Sequence, residues 1–197
     1  MGREIELKLA VPDAALLEKI YEDPAFSGSK CAEFAMKTTY FDTADRKLSS
    51  HKWMLRQRLE NGHTVTCFKM PLGKHARGEW EAEAEPLAAA LALLAQQEGV
   101  PAELKELSAQ ELFPVCGAEF RRRTRDISFP DGSQAELACD LGTLTGGGQT
   151  IPLCEAELEL KTGEPEQMQA LAAFLCRKYG LHEEPLSKFA RAKRLAE

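Results

Sequence analysis

Residues 154–161 read CEAELELK, in which three successive alternate positions are glutamates, Glu155, Glu157 and Glu159, and the fourth is Lys161. Alternation with a period of two predicts a β-strand that has one charged face and one apolar face. Three like charges along one face repel one another, and only a cation or facing basic side chains would offset that repulsion. The stretch therefore raises the question of whether its charged face meets solvent or lines a site.

The same alternation recurs in eight segments of the chain. We predict strands at residues 3–9, 36–42, 53–60, 63–70, 76–84, 119–129, 134–141 and 153–161. Turn sequences such as ENGH at 60–63, FPDGS at 129–133 and TGGGQ at 145–149 favour antiparallel neighbours. Helix-like segments occupy residues 11–23, 85–99, 164–181 and the stretch after 187. Many short antiparallel strands favour a barrel or a sandwich, and eight strands are enough to close a barrel.

The bulk properties limit the class of protein. The chain has 197 residues and a net charge of -6, which argues against a general nucleic-acid or membrane-surface binder. Its longest apolar run, of about nine residues, falls far short of the roughly 20 that a membrane span needs. The six cysteines are scattered without CxxC spacing, which indicates reduced thiols rather than a zinc site. We therefore predict a cytoplasmic protein with neither nucleic acid nor membrane as partner, while its oligomeric state is left open.

Two arrangements of the strands are compatible with this pattern. In the first, the apolar faces meet inside and the charges form exposed cross-strand pairs of little energetic consequence. In the second, helices cover an apolar outer face and the charges line a water-filled tunnel. The acidic strands (Glu155, Glu157, Glu159) differ from the basic ones (Arg56, Arg58). An acidic arc that faces a basic arc is what a metal ion together with a polyphosphate needs.

Several motifs resemble those of the CYTH domains, also called triphosphate tunnel metalloenzymes, and they occur in the family's order over residues 3 to 191. EIELK at 4–8 resembles the opening ExExK motif, and TYFDT at 39–43 is followed by LRQR at 55–58. The remaining matches are CFKM at 67–70, RGEWE at 77–81, AELACDLG at 135–142, CEAELELK at 154–161 and PLSKFAR at 185–191. These motif sequences most resemble those of the bacterial inorganic triphosphatase branch of the family.

The resemblance implies an α+β fold, with an eight-stranded antiparallel β-barrel that forms a charged tunnel and helices packed on its outside. It implies one domain over residues 1–197 that hydrolyses a triphosphate with Mg²⁺ or Mn²⁺. Members of this branch often carry a C-terminal helical CHAD domain; the chain ends directly after the last motif, so we expect none. A small-molecule triphosphate is the expected partner.

The resemblance also implies a set of site residues. The expected catalytic residues are Glu4, Glu6, Lys8 and Glu79. The expected phosphate-binding residues are Lys8, Arg56, Arg58, Lys69, Arg122, Lys188 and Arg191, because arginine forks and lysine ammonium groups bind phosphate oxygens. The expected metal ligands are Glu4, Glu6, Asp140, Glu157 and Glu159, because hard cations take carboxylate oxygens.

Some points stay open. In the RRRTR run, a register slip by one residue would select Arg121 and Arg123 in place of Arg122. We expect Glu81, Glu83 and Glu155 to lie at solvated strand ends. The alternative functions are a nucleoside or thiamine triphosphatase, a class IV type adenylate cyclase, and a polyphosphate-binding protein without catalysis. The chain retains both glutamate pairs that are expected to bind metal, Glu4 with Glu6 and Glu157 with Glu159. This argues against a polyphosphate-binding protein without catalysis, since binding alone needs mainly the basic residues.

Overall fold

The computed structural model describes residues 5–71, 77–107 and 109–196, with the side chain of Arg77 left aside. The strands are β1 (Glu6–Ala10), β2 (Cys31–Asp42), β3 (Met54–Glu60), β4 (His63–Pro71), β5 (Arg77–Glu83), β6 (Phe113–Ser128), β7 (Gln134–Gly146), β8 (Gln149–Thr162) and β9 (His182–Glu183). The helices are α1 (Ala14–Tyr21), α2 (Lys47–Ser50), α3 (Leu87–Leu94), α4 (Ala102–Leu107), α5 (Glu166–Tyr179) and α6 (Lys188–Arg194), and Pro24–Phe26 form a 3-10 turn.

All nine strands belong to one antiparallel sheet in the order β5-β4-β3-β2-β6-β7-β8-β1-β9. The expected α+β class and antiparallel sheet are confirmed, and each of the eight predicted strands is present among the described residues. Residues 3, 4 and 76 of the predicted strands lie outside the described residues. The two-residue β9 is an addition at one edge. Within the described ranges, no hydrogen-bonded ladder joins β5 to β1 or β9. Side chains of β1 to β8 nevertheless line one interior cavity, so the sheet curves around it without a closed ring of hydrogen bonds among the described residues.

The consecutive strands β6, β7 and β8 are longer than the sequence pattern predicts. Gly147 and Gly148 have φ angles of 55° and 75°, a conformation that glycine adopts without steric cost. These two residues make the whole turn, so the β7–β8 ladder continues to the pair Gly146–Gln149. The predicted turn at 145–149 is therefore too wide, because apolar periodicity alone does not reveal a turn this tight.

The outer face of β1, β7 and β8 is apolar and is covered by α1 and α5. Leu9, Leu137 and Leu158 are fully buried in this cluster together with side chains of the two helices. The side chain of Asp13 caps α1 by accepting a hydrogen bond of 2.8 Å from the amide of Leu16. Covering the apolar face from outside turns the charged face of the same strands inward.

A second apolar cluster joins the outer face of β3, β4 and β5 to α2, α3 and α4. Trp53, Phe68 and Trp80 lie at its centre, and Leu94 and Leu104 come from the helices. Among the described residues, none of the helices combines the length and hydrophobicity that crossing a membrane requires. The two clusters leave the opposite, inner face of the sheet for charged residues.

Helix α6 packs against the inner face instead of the outer one. Ala192 of α6 is fully buried beside Cys116, Ala118 and Leu144, and Phe189 stacks on Tyr40 with 4.8 Å between ring centroids. This third apolar cluster fills part of the interior. The helix thereby brings its own first residues, Ser187 and Lys188, to the remaining space.

Candidate active site

A cavity of about 800 Å³ lies inside the sheet, and side chains from β1 to β8 and from the start of α6 line it. Its acidic lining residues are Glu6, Glu79, Glu81, Glu136, Glu157 and Glu159. Its basic lining residues are Lys8, Arg56, Arg58, Lys69, Arg122, Lys161 and Lys188. The acids come mostly from β1, β5, β7 and β8, whereas the arginines come from β3 and β6. The arginines therefore come from other strands than the acids, whereas Lys8 and Lys161 lie on the acidic strands β1 and β8.

Three carboxylates form a row across the neighbouring strands β1, β8 and β7. Glu6 stands directly opposite Glu159, which in turn stands opposite Glu136. Like charges at facing positions destabilise a sheet unless a cation offsets them. Lys8 forms an ion pair with Glu6, and the ammonium of Lys161 lies 2.8 Å from Glu159 and 3.3 Å from Glu136. The repulsion in this row, which we call the acidic row, is thus offset by flanking lysines.

A second group of charges is buried deeper, between β6, β7, β8 and α6. Arg122 donates to both oxygens of Asp140, at 2.8 and 2.7 Å, and also to Glu157. Lys188 lies 2.7 Å from Asp140 and 2.9 Å from Glu157, and it donates to Glu155 as well. Such charge-assisted hydrogen bonds are short and directional. We refer to these five residues as the buried ionic cluster.

The buried ionic cluster shifts the pKa values of its carboxyl groups in different directions. Burial opposes ionisation of Glu157, but Lys188 and Arg122 more than offset it and hold the pKa of this carboxyl well below its usual range. Burial, reinforced by the charge of Glu157, raises the pKa of Glu155, although Lys188 and Arg191 act in the opposite direction. The cations keep Glu157 ionised inside the protein.

The opposite wall of the cavity carries Arg56 and Arg58 on β3, Lys69 on β4 and Glu79 on β5. Lys69 faces Glu79 across the ladder at 3.0 Å, and the thiol of Cys67 donates to the same carboxylate at 3.1 Å. Burial opposes ionisation of Glu79, but the hydrogen bond from Cys67 and the contact with Lys69 lower its pKa on balance. Burial also raises the pKa of the Cys67 thiol. Glu79 is thus a carboxylate next to a neutral thiol.

The acidic row suits a hard divalent cation better than the buried ionic cluster does. Glu6 and Glu159 offer carboxylate oxygens on facing positions at the edge of the cavity, the ligand type that Mg²⁺ and Mn²⁺ take. Asp140, Glu155 and Glu157 also have oxygens within 4.8 Å of one another. However, Arg122 and Lys188 contact these three carboxylates from buried positions and would repel a further cation. Lys161, beside the acidic row, is 41% exposed and can move aside when an ion binds.

Most of the predicted site residues are brought together in the cavity. Those that line it are Glu6, Lys8, Arg56, Arg58, Lys69, Glu79, Arg122, Glu157, Glu159 and Lys188. Glu4 lies outside the described residues. Asp140 is fully buried behind the wall, and Arg191 contacts Glu155 and Glu184 outside the lining.

The register of β6 selects one arginine of the RRRTR run for the interior. Arg122 faces the cavity, whereas Arg121 contacts Glu33 at 3.6 Å and Arg123 binds Glu18 of α1 on the outer face. Neighbouring arginines therefore point to opposite sides, as the pleat of a strand requires.

Sequence reasoning missed several residues. Glu81, Glu136 and Lys161 line the cavity, and Glu155 is 0% exposed instead of lying at a solvated strand end. Each belongs to the same alternating pattern as the residues that were predicted, so the pattern held the signal. Glu155 was misjudged because helix α6, which covers it, is distant in sequence.

A family model described as the CYTH domain matches residues 2–192 of this chain. Among curated proteins, the inorganic triphosphatase of Haemophilus influenzae is 28% identical over 178 residues, which make up 85% of this chain and 48% of the relative. The chain thus spans about half the length of this curated relative. The order of motifs noted above agrees with the family match.

Solved structures share the fold. A Hippeastrum protein, named as a candidate adenylyl cyclase with a dominant triphosphatase activity, superposes with a TM-score of 0.66 at 20% identity, covering 99% of this chain and 97% of that one. The PH1819 protein of Pyrococcus horikoshii OT3 superposes with a TM-score of 0.59 at 20% identity, covering 96% and 97%. At this level of identity, the likeness concerns the fold alone.

Proposed function

This chain belongs to the CYTH domain family, and from that premise we propose that it is a metal-dependent hydrolase that cleaves inorganic triphosphate to diphosphate and phosphate. The observation that carries the proposal is the cavity of about 800 Å³, which is lined both by the acidic row and by Arg56, Arg58 and Lys69. The name of the Haemophilus influenzae relative, inorganic triphosphatase, supports the choice of substrate.

The basic residues of the cavity are suited to hold the substrate. Arg56 and Arg58 can bind phosphate oxygens two at a time, while Lys69 acts as a point charge. Arg122 and Lys188, which already contact Asp140 and Glu157, add positive charge to the same lining. Burial among protein dipoles makes these contacts stronger than they would be in water. Negative charge that develops on the leaving diphosphate would be stabilised by the same side chains.

The acidic row is suited to a resident Mg²⁺ or Mn²⁺ ion. Glu6 and Glu159 would hold the ion, with Glu4 as the further ligand that the family motif implies, and Glu157 borders the same space. When bound, such an ion neutralises phosphate charge and orients phosphate oxygens. We propose that either Mg²⁺ or Mn²⁺ fills this role.

Glu79 and Lys8 complete the proposed machinery. Because its pKa is lowered, Glu79 is a weak base for removing a proton. It is better suited to accept a hydrogen bond from an attacking water and so to orient that water. Lys8 faces Glu157 across the β1–β8 ladder and lines the cavity, where its ammonium can contact a phosphate. Neither Asp140 nor Arg191 belongs to the described lining of the cavity, so we assign them no direct contact with substrate.

One experiment tests the proposal. Purified protein is incubated with Mg²⁺ or Mn²⁺ and, in parallel, with triphosphate, ATP, thiamine triphosphate or diphosphate, and released phosphate and cyclic AMP are measured. We expect triphosphate to be preferred. Lys8→Ala should lower kcat/KM by about 10- to 100-fold through the loss of one charged contact, whereas Lys37→Ala, on the exposed outer face, should not change it. A wild-type protein that binds triphosphate without turning it over would refute the enzymatic proposal.

A nucleoside triphosphatase is the second candidate. Met36, Met54, Phe120 and Phe189 line part of the same cavity and offer an apolar surface next to the charges. An organic group attached to the triphosphate could rest there. The ATP arm of the assay decides between the two, since the second candidate requires ATP to be the better substrate.

We also propose the cytoplasm as the place of action and residues 1–197 as one tunnel domain. All six cysteines are free thiols, as is usual in a reducing compartment. The family match over residues 2–192 supports a single domain.

A further inference from the structure

Helix α6 meets the inner wall of the sheet with an apolar side and a charged side. Its N-terminus is capped by Ser187, whose hydroxyl accepts a hydrogen bond of 3.1 Å from the amide of Ala190. On the apolar side, Phe189 stacks on Tyr40 and Ala192 is fully buried. These contacts hold the helix against the sheet, but they do not determine where its charged side chains point.

One carboxylate, that of Glu155, contacts both charged residues on this side of α6. Lys188 and Arg191 are three positions apart and so lie on the same face of the helix. Oε1 of Glu155 accepts from the Lys188 ammonium, and Oε2 accepts from the Arg191 guanidinium. Glu155 therefore bridges two consecutive turns of the helix from its fully buried position on β8.

Only one of these three residues reaches the substrate space. Lys188 lines the cavity, whereas neither Glu155 nor Arg191 is part of the described lining. Arg191 instead uses its second terminal nitrogen for Glu184, at 3.8 Å. A role for Arg191 in the site must then act through Glu155 and Lys188.

We propose that Glu155 and Arg191 are positioning residues that fix the register of α6 and hold the ammonium of Lys188 at the wall of the phosphate-binding cavity. The proposal rests on the proposed hydrolysis of triphosphate, for which Lys188 is a phosphate-binding residue. It replaces the expectation that Arg191 binds phosphate directly.

The physical reason is preorganisation. A lysine side chain has four rotatable bonds and loses much rotamer freedom when it is held in place. Glu155, Asp140 and Glu157 restrict the Lys188 ammonium before substrate arrives, so that less of the binding energy is spent on ordering it. Arg191 keeps Glu155 in the orientation that this arrangement needs.

Other roles for the pair predict different results. If Glu155 acted only through its negative charge, its removal would strengthen the binding of a polyanion and raise kcat/KM. If Arg191 contacted phosphate, the effects of Glu155 and Arg191 would be independent and their losses would multiply.

The test is a double-mutant cycle on the full chain with triphosphate as substrate, below the lowest melting temperature of the set. Glu155→Gln and Arg191→Gln should each lower kcat/KM by about tenfold, and the double variant should fall no more than about twofold further. Arg191→Lys, which keeps the charge, should recover most of the loss. Glu119→Gln, on the exposed outer face, is the matched control and should match the wild type. A roughly hundredfold loss in the double variant, or a gain in Glu155→Gln, would overturn the proposal.

A second measurement separates this inference from the proposed function. Amide hydrogen exchange over residues 188–194, without substrate, should become about tenfold faster in Glu155→Gln and stay unchanged in Glu119→Gln. Unchanged exchange in Glu155→Gln would overturn the anchoring role whatever the activity. A wild-type protein that hydrolyses no triphosphate would instead overturn the proposed function.

Discussion

Replacing Asp140 by asparagine should destabilise the protein, because this carboxylate holds two buried cations. Asp140 is 0% exposed, and it accepts from Arg122 at 2.8 and 2.7 Å and lies 2.7 Å from Lys188. Asparagine has nearly the same volume but lacks the charge, and its amide group would face donors. The substitution therefore removes ionic contacts without leaving a cavity.

The magnitude follows from the contacts that remain. Removing one partner of a buried ion pair costs about 3–5 kcal/mol. Arg122 and Lys188 both keep Glu157, and Lys188 also keeps Glu155, so we expect the lower end, about 3 kcal/mol. In a domain of this size each kcal/mol lowers the melting temperature by about 2–4 °C. The expected decrease is therefore about 6–12 °C.

The assay is thermal unfolding at pH 7 in the presence of EDTA, which removes any contribution from bound metal. Asp126→Asn is the matched control: it makes the same chemical change at an exposed position of β6. Its effect should stay within about 0.5 kcal/mol, which is about 1–2 °C. The difference between the two variants isolates the contacts of Asp140.

One result would refute this reasoning. If Asp140 served chiefly as a metal ligand, it would repel Glu155 and Glu157 when no metal is present. Asp140→Asn would then raise the melting temperature in EDTA and lose stability only relative to the metal-bound wild type. The sign of the change in EDTA thus distinguishes a positioning role from a metal-binding role.

Three further predictions concern the metal, the pH and the thiols. Millimolar Mg²⁺ should raise the melting temperature of the wild type. Glu159→Gln should remove most of that increase, because the ion then lacks one of the two facing carboxylates, Glu6 and Glu159. If the increase survived in this variant, the ion would bind elsewhere. The pKa of Glu157 is depressed in the folded state, so its stabilising effect is present above the unfolded pKa of about 4.3 and is lost as the pH falls. The free energy of unfolding in urea should therefore decrease less steeply between pH 5 and 3 in Glu157→Gln than in the wild type. Equal decreases in the two proteins would contradict this prediction. Cys31 is exposed, whereas Cys67 is buried and has a raised pKa. The reaction of the protein with a thiol reagent at pH 8 should therefore have a fast phase that disappears in Cys31→Ser. Persistence of the fast phase in this variant would show that another thiol reacts first.

The alternation of charged and apolar residues predicted the strands and showed which charged side chains share a face. Glu157 and Glu159 share the inner face of β8, as the step of two requires, and Arg56 and Arg58 share that of β3. These relations are local, since the backbone pleat alone puts alternate side chains on one face. They were therefore accessible without any knowledge of strand order.

The extent of the strands was less predictable. The tight turn at Gly147 and Gly148 lengthens β7 and β8, and the pairing of β2 with β6 extends β2 back to Cys31. Cross-strand hydrogen bonds determine where such strands end. A pattern of single residues does not contain that information.

The sequence by itself determined which side chains share a face, because a strand's pleat has a period of two whatever surrounds it. The direction of that charged face was decided only by the tertiary structure, in which helices α1 to α5 cover the apolar side and turn the charges inward. The roles within the cavity were decided in the same way. Arg122 and Asp140 meet through the register of β6 and β7, and Glu155 is buried because α6, more than 30 positions later, packs on it. Contacts between residues so far apart in the chain depend on strand order and on the docking of helices, which no local pattern specifies.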